Sequence, residues 1–392
     1  MTALTLPAAG RGAGPRLVVD LTAVAANVRL FTERATGELM AVVKADGFGH
    51  GAVDVARTSL AHGATRLGVT SIDEAMALRA AGIGAPVLSW LNPVDTDFAA
   101  AVAAGVELAV PGREHLDAIT RRAPGARIHL QLDTGMARDG AAPSEWTALC
   151  RAARLAERRG LLRVVGVMGH LATADVPADH ANATGRTRFA WGLEVARGCG
   201  LRPADRHLAA TSATLTDPLS HHTMSRVGAG LVGIDPSRTT SLRPALTLTA
   251  PLVSVRRVRA GTGVGYGHTW TAPAPTTLGL VPLGYADGLP RAASGRAEVL
   301  VRGRRHLLVG RISMDMAVVD LQGDHAEPGD VVTLFGPGDR GEPTVAECAG
   351  WADTIEHEIV TGLGSRLQRT VRGTHEGRCA TSSTSGHLRR VR

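Results

Sequence analysis

Lysine is almost missing from this chain. Of 43 basic residues among 392, Lys44 alone is a lysine and the rest are arginines. Aromatic residues make up 3%, and the tyrosines are two, Tyr266 and Tyr285. Four cysteines (Cys150, Cys199, Cys348, Cys379) show no CxxC or metal-ligand spacing. That excludes a zinc ribbon or a disulfide frame as the organising feature and fits reduced thiols in a cytoplasmic protein, none of them a nucleophile. No apolar run approaches the roughly 18 residues of a membrane span, and MTALTLPAAGRGAGPR lacks the basic-then-apolar order of a secretory signal. A formal charge of +7 spread along the whole length, with so few aromatic rings, supplies neither the basic face nor the stacking platforms of a nucleic-acid binder. Neither a membrane nor a nucleic-acid partner is expected.

Two of these scarcities carry chemistry. Where charge alone is needed the chain uses arginine, but a guanidinium cannot form an imine with a carbonyl group. The surviving lysine lies at the end of an apolar, strand-like run, LMAVVKA, where an ammonium needs a reason. Both tyrosines lie in Gly-flanked segments, GVGYGHTW and PLGYADG, which marks their hydroxyls as candidate functional groups.

From residue 39 to about 235, short apolar runs (LMAVVKA, RLGVTS, APVLSWL, ELAVPG, RIHLQLD, LRVVGVMGH, RHLAA, SRVGAGLVG) alternate with stretches of helical period such as SIDEAMALRAAG and SEWTALCRAARLAERRG. Ser71 or Asp73 and Ser144 are candidate caps. The alternation predicts an α/β fold with an N-terminal (β/α)8 TIM-type barrel. After Ala245 the texture turns β-rich with Gly and Pro turns, with one or two helices in AECAGWADTIEHEIVTGLG, which predicts a C-terminal, mainly β domain. The expected divisions are a loose tail 1–16, the barrel 17–245, the β domain 246–372, and a Ser/Thr/Arg/Gly-rich, disordered tail 373–392.

In a parallel barrel, functional side chains collect at the C-terminal strand ends. There the sequence places Lys44, Arg138 in DTGMARDG, His170 in GHLATAD, and Arg226 with Gly228 and Gly230 in a turn whose backbone N–H groups suit a phosphate.

VVKADGFGHG, DTGMARDG, HLATAD, SRVGAGLVGIDP, GVGYGHTW, VPLGYADGLPR and GRISMDM each resemble a motif of the alanine racemase family, and in that family's order, over residues 17 to 372. The resemblance implies a fold-type III enzyme that carries pyridoxal 5'-phosphate on Lys44, acts on a small amino acid, alanine first, and forms a head-to-tail homodimer with shared active sites. It implies Lys44 and the other subunit's Tyr266 as the two acid/bases, and Arg226 on the pyridine nitrogen. It further implies His170 beside Arg226, lending positive charge to Tyr266, and Thr211, Gly228 and Ala229 on the phosphate. Arg138 and the Met314 backbone would take the substrate carboxylate, with Tyr285 at the entrance and Asp315 beside Met314 at the substrate side; no metal is implied. Phe48, Gln131, Ser365 and Val232 depart from the family pattern. The lost phenol at Phe48 removes a hydrogen bond to the phosphate, Gln131 would orient Arg138 in place of a carbamylated lysine, and Ser365 would widen the pocket. Competing readings are a racemase of serine or another small amino acid, a catalytically inactive relative that binds the cofactor, and a fold-type III decarboxylase; the last calls for an acidic residue where Arg226 stands.

Overall fold

The computed structural model describes residues 14–375. Most of the expected N-terminal tail 1–16 and of the expected disordered tail 373–392 lies outside the described residues. The strands are β1 Arg16–Asp20, β2 Glu38–Val42, β3 Arg66–Val69, β4 Val87–Ser89, β5 Val106–Val110, β6 Ala126–Gln131, β7 Leu162–Met168, β8 Asp205–His207 and β9 Met224–Val227. Then come β10 Leu246–Pro251, β11 Ser254–Val258, β12 Gly263–Val264, β13 Trp270–Thr271, β14 Thr276–Val281, β15 Glu298–Val301, β16 Arg304–Val309, β17 Ala317–Asp320, β18 Val331–Phe335 and β19 Gln368–Arg372.

β2 to β9 form an eight-stranded sheet, all neighbours parallel. Between β8 and β9 the circle closes through Arg226 N–H on the Ala209 carbonyl (3.0 Å) and Thr223 N–H on the Arg206 carbonyl (3.1 Å). This is the expected barrel. Its interior holds a small cluster of Met40, Leu88, Ala109, Met168 and Met224 against Trp90.

The helices form where apolar residues recur every three or four positions and a polar side chain satisfies the first N–H groups. Asp20 caps Leu21–Arg34, whose Leu21, Val24, Val28 and Phe31 face inward. Ser71 and Glu74 make a reciprocal capping box for Ile72–Ala80. Ser144 does not cap its helix, which begins one residue earlier at Pro143; proline suits a first helical position because its missing N–H would be unpaired there.

The second sheet has nine strands in the order β11-β14-β17-β16-β15-β18-β10-β1-β19. It takes in β1, antiparallel to β10 and parallel to β19, so the first strand of the expected barrel span 17–245 lies in the β domain. Pairing across more than 220 residues leaves no local trace in a five-residue strand. Val345–Trp351 and Glu356–Thr361 are the two expected helices. Buried apolar residues of both parts join in one cluster, from Leu39 and Leu67 to Leu334 and Phe335, which fixes the barrel rim against the second sheet.

Candidate active site

Lys44 follows β2 after one residue, Val43, and opens a turn wound left-handed, with φ of 51° at Ala45, 53° at Asp46, 62° at Gly47 and 56° at Phe48. Each L-residue there costs about 1–2 kcal/mol, so the turn persists only if its surroundings hold it. Ala45 N–H donates to Glu74 Oε1 (2.7 Å), Ala52 N–H to Asp46 Oδ1 (2.9 Å), and Arg369 Nη1 to Asp46 Oδ2 (2.7 Å). His50 Nδ1 lies 2.6 Å from the Phe48 carbonyl and donates to it. Phe48 is buried where a side chain on Gly228 would go: a Cβ there would stand 2.6 Å from its Cζ. Burial and the neighbouring Arg138 push the half-buried Lys44 amine below its ordinary pKa, while Glu74 pulls it back up. The result is an amine easier to deprotonate than a free one, as imine formation requires.

Arg226 is buried on β9. Its Nη1 donates to the His207 carbonyl (2.8 Å) and to His207 Nδ1 (3.1 Å), and Nη2 to the Gly169 carbonyl (2.7 Å) and His170 Nδ1 (3.1 Å). All four acceptors are uncharged. Burial, then Arg138, lower its pKa to about 10, so it remains a cation at neutral pH. Burial and the surrounding Arg226, Arg138 and Lys44 push His170 down to about 3. This corrects the expectation of a positive His170: the ring is neutral. A guanidinium only donates, so His170 Nδ1 is the acceptor and Nε2 carries the proton. What it can offer a neighbouring oxygen is an N–H dipole.

Thr211 opens the short helix Thr211–Thr216, and its Oγ1 accepts from Gly228 N–H (3.4 Å) and Gly230 N–H (3.3 Å), with Ala229 between them. A side chain at Gly230 would overlap the Phe31 ring, so the close approach of this turn to the core requires glycine there. Converging N–H groups and a hydroxyl suit a phosphate, a lysine with a depressed pKa suits an aldehyde, and an arginine without a carboxylate partner suits a ring nitrogen. The residues present therefore fit a phosphorylated pyridoxal.

Tyr285, Met314 and Asp315 form a second group in the β domain, and Tyr266 lies in the same domain. Tyr285 N–H donates to the Ser313 carbonyl and Ala286 N–H to the Met314 carbonyl (both 3.0 Å), while Arg366 bridges Asp287 (2.9 Å) and Asp315 (2.6 Å). Tyr266 is 71% exposed and Tyr285 42%. Among the described residues no hydrogen bond or ion pair joins Tyr266 or this group to the barrel group.

Gln131 donates to Asp139 Oδ2 (3.2 Å) and makes no hydrogen bond to Arg138 among the described residues, which corrects its expected role in orienting that arginine. Ser365 is exposed and Val232 is a buried packing residue. Cys150 and Cys348 are free, and burial pushes both thiols up to about 12, so neither is a nucleophile. Sequence reasoning passed over Glu74, which holds the lysine turn, and the buried His207, His129 and Glu107 behind Arg226. The available signal was the polar residues set inside the apolar runs ELAVPG, RIHLQLD and RHLAA.

Comparison with known proteins bears on this geometry. The profile described as alanine racemase, N-terminal domain, matches residues 19–236, and that of the C-terminal domain matches 245–371. The alanine racemase of Thermobifida fusca is 46% identical over 363 residues, covering 91% of this chain and 97% of that protein. The structure of alanine racemase from Streptomyces coelicolor superposes with a TM-score of 0.89 at 46% identity, covering 91% of this chain and 98% of the other. That of Bartonella henselae, with covalently bound pyridoxal phosphate, gives 0.84 at 25% identity, covering 92% and 100%. With both family profiles matched in order across barrel and β domain, the chain belongs to the alanine racemase family.

Proposed function

We propose that the chain interconverts L- and D-alanine with pyridoxal 5'-phosphate on Lys44, working in the cytoplasm as a homodimer. The observation that carries the reading is the chain's single lysine, lowered in pKa at a barrel rim, beside an arginine that has no carboxylate partner. Family membership and the covalently bound pyridoxal phosphate of the Bartonella henselae relative support the cofactor.

Bound at Lys44, the cofactor supplies an electron sink that acidifies the substrate's α-proton. Inversion then needs two bases, one on each face of the reacting carbon. Lys44 Nζ holds or releases the proton on one face. Tyr266 Oη does so on the other, and because it is 71% exposed and unconnected to Lys44 in its own chain, we assign it to the rim of a second copy. His170 Nε2–H faces that phenol as a neutral donor, polarised by Arg226 at Nδ1. Arg226, a cation that cannot give up its proton at neutral pH, keeps the pyridine nitrogen unprotonated. With its charge held there, Arg226 would favour return of the proton to the α-carbon. Thr211, Gly228 and Ala229 hold the phosphate. Arg138 takes the substrate carboxylate together with Met314, whose carbonyl is already engaged by Ala286, so the Met314 N–H is the group assigned. Tyr285 lines the entrance and Asp315 the substrate side, Asp315 being fixed by Arg366.

The test is complementation. Lys44→Ala and Tyr266→Phe homodimers are each inactive in D-alanine formation from L-alanine, while subunit mixing restores about one quarter of wild-type sites, because half the dimers then carry one intact pair. Absence of recovery overturns the shared site. A panel of L-amino acids in which serine or another substrate outpaces alanine overturns the substrate.

A further inference from the structure

Behind Arg226, a line of buried side chains crosses the barrel to the N-terminal ends of its strands. His207 Nδ1 accepts from Arg226 Nη1 (3.1 Å), His207 Nε2 lies 2.9 Å from His129 Nδ1, and His129 Nε2 lies 3.0 Å from Glu107 Oε2. His207, His129 and Glu107 are all buried. One end of this line can only donate and the other only accept. With both rings neutral, a single arrangement satisfies every link: each histidine carries its proton on Nε2 and turns the Nδ1 lone pair toward Arg226. The opposite tautomer of either ring sets two donors against each other out of reach of water.

The barrel is shaped around this line. The β6–β7 register shifts between Ile128 and His129, and a side chain on the facing Gly166 would overlap the His129 ring. At the far end Arg127 (2.8 Å) and Arg66 (3.3 Å) hold Glu107, and Arg66 also reaches Asp205 and Glu38. Glu107, His129 and Asp205 bring ligand atoms within 4.8 Å of one another, as a metal site would, but these guanidinium groups already supply the positive charge.

We propose that Glu107 and His129 are positioning residues of the active site: through His207 they present Arg226 with a lone pair and never a proton, which fixes the guanidinium that faces the cofactor. Burial works against the charge on Glu107, yet the hydrogen bonds from His129 and Arg127 outweigh it and hold the carboxyl down at about 2, so it is a pure acceptor at neutral pH. Burial, then the adjacent Arg226 cation, press His207 well below its ordinary value, so it stays neutral. The catalytic part of this inference rests on the proposed function; the tautomers do not.

Nitrogen-15 spectra of the histidine rings in the cofactor-free protein test the tautomers directly. The expected result is neutral His129 and His207, both protonated at Nε2; an Nδ1–H or doubly protonated ring at either position overturns the proposal. In the holoenzyme, His129→Leu is expected to lower kcat about tenfold with little change in KM, and to raise the share of turnovers ending in transaminated cofactor. His129→Gln, which keeps an acceptor toward His207 and a donor toward Glu107, is expected to restore both. A His129→Leu protein with wild-type kcat and transamination overturns the positioning role. If His129→Leu does not fold, His129→Phe, which also removes both ring nitrogens, is read the same way. A holoenzyme without racemase activity but with the expected tautomers sinks the proposed function and leaves the hydrogen-bonded line standing.

Discussion

Replacing Glu74 by glutamine perturbs the lysine turn at one atom. The carboxylate accepts four hydrogen bonds: Oε1 from Ala45 N–H (2.7 Å), and Oε2 from Thr70 N–H (2.8 Å), the Thr70 hydroxyl (2.9 Å) and Ser71 N–H (3.3 Å). An amide keeps the oxygen on one side and puts two N–H donors on the other. Turning the oxygen toward Thr70 and Ser71 saves more bonds, so the amide nitrogen faces Ala45 N–H. One charge-assisted bond is lost, which costs about 1.5–3 kcal/mol. The loss falls on a residue at φ 51°, already strained. At about 2–4 °C per kcal/mol for a domain of the barrel's size, Tm is expected to drop by about 3–12 °C. A second effect has a definite sign. Glu74 is the group that raises the Lys44 pKa against burial and Arg138, so its neutralisation moves the amine further down. Because Lys44 is the single lysine, an amine-directed label on the cofactor-free protein, read by peptide mass spectrometry as a function of pH, reports its titration apart from the α-amino group. The midpoint is expected below the wild-type value in Glu74→Gln and nearer to it in Glu74→Asp. An unchanged or more alkaline midpoint in Glu74→Gln would refute the account of how this lysine is tuned.

Two further outcomes follow from the same geometry. Gly228→Ala places a Cβ 2.6 Å from Phe48 Cζ and 3.2 Å from Val42 Cβ, and Phe48 is buried in a turn that cannot yield; overpacking of about 1–3 kcal/mol should appear as a lower Tm and weaker cofactor binding by fluorescence titration, with Phe48→Leu relieving it. Acid should unfold the protein early: His50, pushed to about 4 mainly by burial, His170, at about 3, and His207 are neutral when folded but take up a proton below about 6.5 when unfolded. The unfolded state then binds more protons, so stability falls as pH drops from 7 to 5, by about 1.9 kcal/mol for each of His50 and His170, with His207 adding in the same direction. Glu107 does not offset this, since its contribution, present above the ordinary carboxylate range, is lost only as pH falls toward 2. Urea unfolding at the two pH values measures the difference, and equal stability at pH 5 and 7 would contradict the neutral assignments.

How far the site could be read from the sequence depended on whether a residue acts through its own type or through its neighbours. Lys44 stood out as a candidate because imine chemistry admits no substitute, and Tyr266 because tyrosine is scarce; the role of Tyr266 belongs to the proposed function. The barrel was legible because each strand and helix imprints its own period, and the strand ends then follow. β1 was not, since its partners β10 and β19 lie hundreds of residues away and a short strand of mixed burial favours no particular sheet. Gln131 carried the same uncertainty: its type allows a bond to Arg138, and only the path of the loop after β6 turns it toward Asp139.

His170 shows why residue type alone misleads about charge. A histidine beside a phenol reads as a source of positive charge, but the arginine that would assist it also forbids its protonation, because two cations sharing a buried hydrogen bond have no acceptor between them. The positive charge of the site therefore resides on Arg226 and Arg138, and the imidazoles around Arg226 serve as acceptors that bind a cation without neutralising it. A carboxylate in place of either His170 or His207 would hold the guanidinium more tightly, yet its negative charge would cancel the positive field that the proposed function assigns to Arg226. The one carboxylate of the line, Glu107, sits beyond both imidazoles and is itself balanced by Arg127 and Arg66. That separation lets the barrel fix the orientation of Arg226 by hydrogen bonds while leaving its charge for the cofactor.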